Sequence, residues 1–371
     1  MERMPKWADV VLVPLISLLL AAIISAVVIL AIGENPWDAV KLMAKGAFGN
    51  TQNIGYTLYY TTNFIFTGLA VAVAFHSRMF NIGGEGQALF AGLGVALAML
   101  YVPWPHWTLA ILGGTVAAAV FGAAWAAIPA YLQAKRGSHI VITTIMFNFI
   151  AAAVLNYVLV GPLKAPGMEP ATITFADPTH LPNFQQMFDP IYQIFAGGEA
   201  KPIFQRSPAN VTFFLSLLAC VGVWLLIWKT RLGYEIRSFG WSQPASRYAG
   251  INPTRMIMIS MLISGGLAGL MAVNQVMGDA ERLVLNAVEG AGFIGIAVAL
   301  MGRNHPFGVF LAAILFGALY QGGAELAFWT SIPREMIVVI QGLVILFTGA
   351  LDNMVRMPIE KLFARRGKAG V

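Results

Sequence analysis

Charged residues are scarce in this chain. Asp, Glu, Lys and Arg make up 11% of its 371 residues, against 58% hydrophobic, where a soluble globular domain carries roughly a quarter. That shortage excludes a water-soluble fold, which would spread its charges over amphipathic helices. Cysteine is nearly absent: Cys220 stands alone, so intrachain disulfides and cysteine-rich metal sites are excluded and redox chemistry does not reveal the compartment. The five histidines, His76, His106, His139, His180 and His305, show no i, i+4 pairing. His139 and His305 read as interfacial residues, not as ligands or bases. No Gly-x-x-x-x-Gly-Lys-Ser/Thr loop occurs, so this chain is not expected to bind ATP, and any energy it uses must come from another chain or an ion gradient. It also lacks the paired intramembrane acids of a proton relay. Without a metal or nucleophile constellation, neither an enzyme nor a cofactor is expected.

What the chain has instead is apolar length. Ten stretches carry no charge: residues 10–32, 55–75, 86–105, 107–134, 140–160, 211–228, 256–278, 290–302, 306–324 and 336–351. A helix needs about 20 apolar residues to cross the hydrocarbon core, and roughly 17 suffice at the low end. The expected fold is an all-α polytopic membrane protein of about ten transmembrane helices, forming one transmembrane domain over residues 1–371.

The net charge of +6 does not indicate nucleic acid, because its positions follow the bilayer. With a cytoplasmic N-terminus and ten crossings, 16 of the 23 basic residues fall in inner loops, Arg78, Lys135, Arg136, Arg237, Arg247 and Arg303 among them. Only seven, such as Lys41, Lys164 and Arg282, fall outside. The positive-inside rule therefore places both termini in the cytoplasm. Trp37, Trp104, Trp107 and Trp329 fall at outer helix ends and Trp7 and Trp228 at inner ends, the headgroup depth such rings prefer. The first apolar segment spans 23 residues without a convincing small-residue cleavage site. It reads as a retained helix, not a signal peptide.

Two connections are long. Residues 161–210 face outside and hold eight prolines, which predicts an irregular lid or partner-contacting loop. Residues 229–255 face the cytoplasm, as does the basic tail 352–371. The stretch 36–45 mixes apolar and charged residues as an interfacial helix does.

Divided into five helices plus five, the chain has a weak internal symmetry. The third apolar segment is interrupted at its start by Asn81, Gly83, Gly84 and Gly86, and the eighth is only about 13 residues long and carries Gly290, Gly292 and Gly295. Short, glycine-broken segments at matching positions of two halves point to a transport pathway, since backbone leaves helical geometry at membrane depth only where protein or a watery cavity satisfies it. Close helix packing is the competing reading, as in Gly265-x-x-x-Gly269.

The run Phe80-Asn81-Ile82-Gly83-Gly84-Glu85-Gly86-Gln87 is the most specific feature. Glu85 falls in the first turn of the third helix, where the helix dipole favours a carboxylate by about 0.3–1 kcal/mol. A carboxylate at membrane depth costs about 2.5–3.5 kcal/mol on insertion scales and is functional by default. Depth decides between these readings, and the sequence leaves it open.

This run resembles the signature of the membrane subunits of nucleoside-type ABC importers, within the wider group of permeases for branched-chain amino acids, ribose and other simple sugars. Ser138 to Asn148, Tyr248 to Asn252, Gly292 to Leu300 and Gly302 to Pro306 agree with it, in the family's order, over roughly residues 55 to 350. The resemblance implies an importer permease fold in a bacterial cytoplasmic membrane. It also implies a separate ABC ATPase subunit, a second permease that is related but distinct, and an extracytoplasmic substrate-binding lipoprotein delivering a nucleoside. A simple sugar such as ribose is the alternative cargo, and an ion-coupled secondary transporter the alternative mechanism. Within 229–255, the short helical candidate Gln243 to Ala249 ends at Gly250, with proline near its start and glycine past its end. By resemblance it is the coupling helix that docks on the ATPase, and Arg237, Ala245, Arg247 and Gly250 carry over to it. Ser238 stands where the family often has Ala. Orientation alone is the bland reading of this basic loop.

Partners besides these are membrane lipids, with no nucleic acid. For the pathway itself, uncharged polar groups inside apolar helices are the candidates: Asn63, Asn148 with Thr144 one turn away, and Asn274 with Gln275, besides Asn81, Glu85 and Gln87. Amides bond base edges or ribose hydroxyls without burying a charge. Hydrogen bonds between helices, worth about 0.6 kcal/mol each, are the competing explanation and the stronger one for any single amide.

Overall fold

A computed structural model describes residues 12–196, 204, 207–330, 332–333, 335–347 and 357–358. The regular elements of the described residues are helices, beside two isolated β-bridges, Ala171 to Val284 and Asn183 to Asn210. Among the described residues, seven helices are long and apolar enough to cross a membrane by length and composition. The expectation for the tail 352–371 lies outside the described residues except at 357–358, as do Arg3, Lys6 and Trp7.

The chain divides into two compact units, residues 1–50 with 318–371, and residues 51–317. In the first, α1 (Val13–Ile32) closes on a left-handed Gly33, and α2 (Pro36–Phe48) starts under an Asn35 cap whose Oδ1 accepts the Trp37 amide at 3.0 Å. The stretch expected to be an interfacial helix is thus helical and slightly longer than anticipated. Ile29 and Ala39 pack with Leu326, from the end of α13 (Pro306–Trp329), and with Ile332 and Ile340, the latter in α14 (Glu335–Ile345). Leu15, Leu19, Ile23, Val27 and Leu30 of α1 stay exposed, an apolar stripe suited to lipid.

The second unit is built around α3 (Thr51–His76) and α11 (Pro253–Ala272). Burial separates these central helices from the periphery: their apolar windows are 83% and 72% buried, against 28% for α5 (Trp107–Arg136) and α6 (Ile140–Val160). Small residues let the backbones meet. A side chain at Gly122 of α5 would meet Gly269 of α11 at 3.1 Å, and one at Gly269 would meet Ala91 of α4 (Gly84–Tyr101) at 2.9 Å. The Gly265-x-x-x-Gly269 pattern is therefore a packing face against α5. Outward, Leu112, Val116 and Val120 of α5 and Ile142, Met146 and Phe149 of α6 form apolar stripes.

Two helices begin at glycine-rich breaks. α4 has 18 residues and opens with Glu85 and Gln87, and α12 (Ala291–Met301) has 11. At 1.5 Å per residue α12 reaches only about 16 Å, half a hydrocarbon core. α11 ends in a π-helical turn over Val273–Met277.

The connection 161–210 is more regular than its prolines predict. A 3₁₀ turn at Asp177–Thr179 precedes α7 (Phe184–Ala196), which keeps Pro190 inside it. Its start is doubly capped: the Asn183 Oδ1 accepts the Gln186 amide at 2.9 Å and the Gln186 Oε1 accepts the Asn183 amide at 3.2 Å. Such a capping box offsets one lost backbone bond. After α8 (Thr212–Lys229), residues 229–255 hold two helices where one was expected, α9 (Arg231–Trp241) and α10 (Gln243–Tyr248).

Candidate functional site

The start of α4 is assembled by side chains from three elements. After α3, Arg78 takes a left-handed φ of 56° and the chain turns back inward. The buried Asn81 Oδ1 accepts the Gly83 amide at 2.9 Å, and its Nδ2 donates to Gln87 Oε1 at 2.9 Å and Ser264 Oγ at 2.8 Å. Ser264 in turn donates to the Ala70 carbonyl at 2.7 Å. Asn148, reaching over from α6, accepts the Gly86 amide at 2.9 Å and donates to the Ile82 carbonyl at 3.0 Å. The first amides of a helix have no partner within it, so Asn148 caps α4 from a neighbouring helix. Asn81, Gln87 and Asn148 are brought together here, each held by protein groups.

Glu85 ties this start to a second one. Its two carboxylate oxygens accept the backbone amides of Gly290 and Gly292, each at 2.9 Å. Gly290 is the N-cap of α12, with φ 81°, so the half-buried carboxylate occupies the first turn of α4 and caps α12 as well. Two positive helix ends therefore converge on one negative group. The close approach requires glycine: a Cβ on Gly292 would lie 2.7 Å from the Gly84 carbonyl carbon. The two glycine-broken segments singled out in the sequence meet each other.

A second cluster runs between helices. Asn274, in the π turn, donates to Asn63 Oδ1 at 2.8 Å and to the Tyr59 carbonyl at 3.2 Å, while its own Oδ1 accepts Asn210 Nδ2 at 2.9 Å and Thr212 Oγ1 at 2.6 Å. The Tyr59 hydroxyl donates to Asp279 at 3.0 Å. π turns widen a helix and frequently occur at functional sites; this one places an amide at the junction of α3, α11 and the start of α8. Asn63 and Asn274 thus belong together and apart from the Glu85 junction. Sequence reasoning missed Ser264, Asn210, Thr212, Tyr59 and Asp279. Only Asp279 left a signal, a carboxylate one residue past an apolar segment.

Arg237, Ala245, Arg247 and Gly250 lie on α9, α10 and the turn after it. Ser242 caps α10, accepting the Ala245 amide at 3.4 Å, and Gly250 closes the unit at φ 79°. Trp241 and Tyr248 are 84% and 95% exposed, an unusual display for large rings. Tyr248 lines a shallow cavity together with Gln243, Pro244 and Arg247. The Arg237 Nε is buried with no partner among the described residues. No group of three or more His, Cys, Asp or Glu among the described residues is placed to hold a metal.

With apolar helices, broken helix starts and the exposed helix pair α9–α10 in place, comparison with known proteins defines the class. Residues 53–349 match the family described as branched-chain amino acid transport system / permease component, and the chain belongs to it. It is a permease subunit of an ATP-binding cassette importer, not an enzyme, and a multi-pass protein of the cytoplasmic membrane. It is 34% identical to the guanosine ABC transporter permease protein NupP of Bacillus subtilis, over 97% of this chain and 98% of that one. It is 33% identical to the nucleoside ABC transporter permease protein NupB of Lactococcus lactis, covering 91% and 90%. It is also 31% identical to the glucose ABC transporter permease protein TsgB13 of Haloferax volcanii, covering 95% and 91%. No solved structure matches it.

Proposed function

We propose that this permease carries nucleosides inward, as half of a transmembrane pair with a related second permease. A separate ATPase powers it and an extracytoplasmic binding lipoprotein supplies it. The observation that carries the cargo is the near full-length match to permeases named for guanosine and nucleosides, at 34% and 33% identity. The match to a glucose permease at 31% favours a hexose as the second reading.

In this reading all of residues 1–371 act as one permease domain that crosses the membrane ten times in two five-helix halves, with both termini in the cytoplasm. Residues 161–210 face the binding lipoprotein. The inner connection 229–255 docks on the ATPase through α10, with Arg237, Ala245, Arg247 and Gly250 in the coupling unit. The exposure of Trp241 at the end of α9 and of Tyr248 at the end of α10 supports this, since no described residue of the chain covers them. The pathway runs past the Glu85 junction and the Asn63–Asn274 pair. Asn81, Gln87 and Asn148 hold the broken helix start in shape beside it, and the convergence of two helix starts on Glu85 resembles the midplane sites of transporters with discontinuous helices.

The test is transport by proteoliposomes holding the complete importer with ATP inside, given labelled guanosine, ribose or glucose. Uptake of guanosine and not glucose is expected. Uptake confined to glucose would replace the nucleoside reading with the hexose one.

A further inference from the structure

A cavity of about 530 Å³ opens among the outer connections of the larger unit, and nothing described so far uses it. Tyr56 at the start of α3, Asp177 and His180 from the 3₁₀ turn region, Asn183 and Gln186 at the start of α7, and Asp279 and Glu281 after α11 line it. Its size falls within the range of small-molecule sites, about 300–1,000 Å³. Its lining does not: it is mostly polar, where such sites are mostly apolar, so it suits a hydrophilic ligand.

The rim is held in place by the long connection. The Thr172 amide donates to the Leu283 carbonyl at 3.0 Å and the Phe175 amide to the Glu281 carbonyl at 2.8 Å. His180 Nδ1 lies 3.3 Å from the Glu281 carboxylate, and Arg282 lies 3.1 Å from Glu169. These contacts engage Glu281 and leave other groups unused. Asn183 and Gln186 commit their carbonyl oxygens to each other's amides, which leaves the NH₂ groups of these two lining residues without a hydrogen bond among the described residues. Asp279 accepts Tyr59 on one oxygen only, and the Asp177 carboxylate and Tyr56 hydroxyl have no side-chain hydrogen bond among the described residues.

The chemistry narrows the ligand. Three carboxylates disfavour an anion, and no cluster there is placed to hold a metal ion. Ionised carboxylates only accept hydrogen bonds, which matches vicinal hydroxyls, while the two amide NH₂ groups suit carbonyl or ring-nitrogen acceptors. A neutral molecule bearing both is a nucleoside. The cavity wall is hydrogen-bonded to the amide cluster: Pro208 accepts Asn210 at 3.0 Å, Asn210 bonds Asn274, and Asp279 bonds Tyr59, whose carbonyl also accepts Asn274.

We propose that this cavity is an outer vestibule that holds a nucleoside, its ribose hydroxyls on Asp279 and Asp177 and its base edge on Asn183 and Gln186, before it moves on to the Asn274 cluster. This inference rests on the nucleoside reading above.

The complete transporter in lipid nanodiscs, free of nucleotide and of binding protein, is titrated with tritiated guanosine. Saturable binding is expected. Competition by 2′,3′-dideoxyguanosine should be at least about tenfold weaker than by guanosine, and Asp279→Asn and Gln186→Ala should each weaken binding about tenfold, as for one lost hydrogen bond to a charged or specific group. Tyr56→Phe, which removes a single hydroxyl, serves if Asp279→Asn fails to assemble. No saturable binding, equal competition by the dideoxy analogue, or unchanged affinity in the variants that assemble would overturn the vestibule. ATP-driven uptake with binding protein, measured on the same preparations, separates the two ideas. Guanosine uptake without such binding refutes the vestibule alone, whereas absence of nucleoside uptake refutes the nucleoside reading and this ligand with it.

Discussion

The Glu85 carboxylate accepts the backbone amide of Gly292 at 2.9 Å, with its other oxygen on Gly290 at the same distance. One side chain thereby caps α12 while sitting in the first turn of α4, so any relative movement of the two broken helices must stretch or replace these bonds. Glu85→Gln keeps one acceptor oxygen and turns an NH₂ towards the other backbone amide. Leaving a buried donor unpaired costs about 1–3 kcal/mol. Transport is expected to fall at least about tenfold, and thermal unfolding in detergent should move to lower temperature. Normal uptake by a stable Glu85→Gln transporter would show the bridge to be dispensable.

Gly292→Ala tests the contact instead of the charge. Its Cβ would press on Gly84 and Glu85 backbone, and overpacking of this kind costs about 1–3 kcal/mol. Reduced expression and transport are expected. Gly222→Ala in α8, where a Cβ meets nothing within 4 Å, should leave both unchanged in the same assays.

Asn274 answers to four partners, so its removal should hurt more than the removal of any one of them. Asn274→Leu strands the Asn63 carbonyl oxygen and one N–H of Asn210, at about 1–3 kcal/mol for each group left unpaired, while Thr212 keeps its bond to Asn210. A double-mutant cycle of Asn63→Ala with Asn274→Ala, read by chemical unfolding, should give a coupling of about 0.6 kcal/mol and at most roughly 1.7. Additivity of the two substitutions would contradict the direct bond.

On α9 and α10 the expectation reverses. Tyr248 and Arg247 are exposed, so Tyr248→Ala and Arg247→Glu should change stability by no more than about 0.5 kcal/mol. ATP-driven uptake should nevertheless fall sharply, with the ATPase no longer held by the permease on co-purification. Retained uptake with either variant would remove α10 from the coupling contact.

Asp279 carries a pH signature. Burial, with lesser contributions from Glu289 and Glu281, holds its carboxyl above the ordinary 3.8, partly opposed by the Tyr59 hydrogen bond. Between 3.8 and that raised value the folded protein binds the proton more tightly than the unfolded chain. Its contribution to stability is therefore fully present below 3.8 and is lost as pH rises through the folded value. Asp279→Asn should flatten that part of the stability profile when unfolding is followed between about pH 4 and 7. An identical slope in the variant would assign the titration elsewhere.

Much of this was readable from residues alone because the bilayer constrains composition so tightly. Runs without charge announced the helices, and the stretches 140–160 and 211–228 became α6 and α8 within a residue of their expected starts. Glycines at 83–86 and 290–292 marked the two breaks because little else permits backbone contact such as that of Gly84 with Gly292. The partners were hidden. Nothing local to Ser264 or Thr212 distinguishes them from any hydroxyl in a helix, and their roles arise from neighbours 183 and 62 residues away in the chain. α7 was hidden for a different reason: the reciprocal Asn183 and Gln186 caps outweigh the single bond that Pro190 removes, while proline count alone argues for an irregular loop.

The most direct test measures guanosine uptake into proteoliposomes with and without the ATPase, ATP being trapped inside. Uptake that requires the ATPase and stops when its hydrolysis is blocked is the expected result. Sustained uptake by this permease with no ATPase present, driven by an ion gradient, would contradict the idea of a conduit powered by a separate subunit.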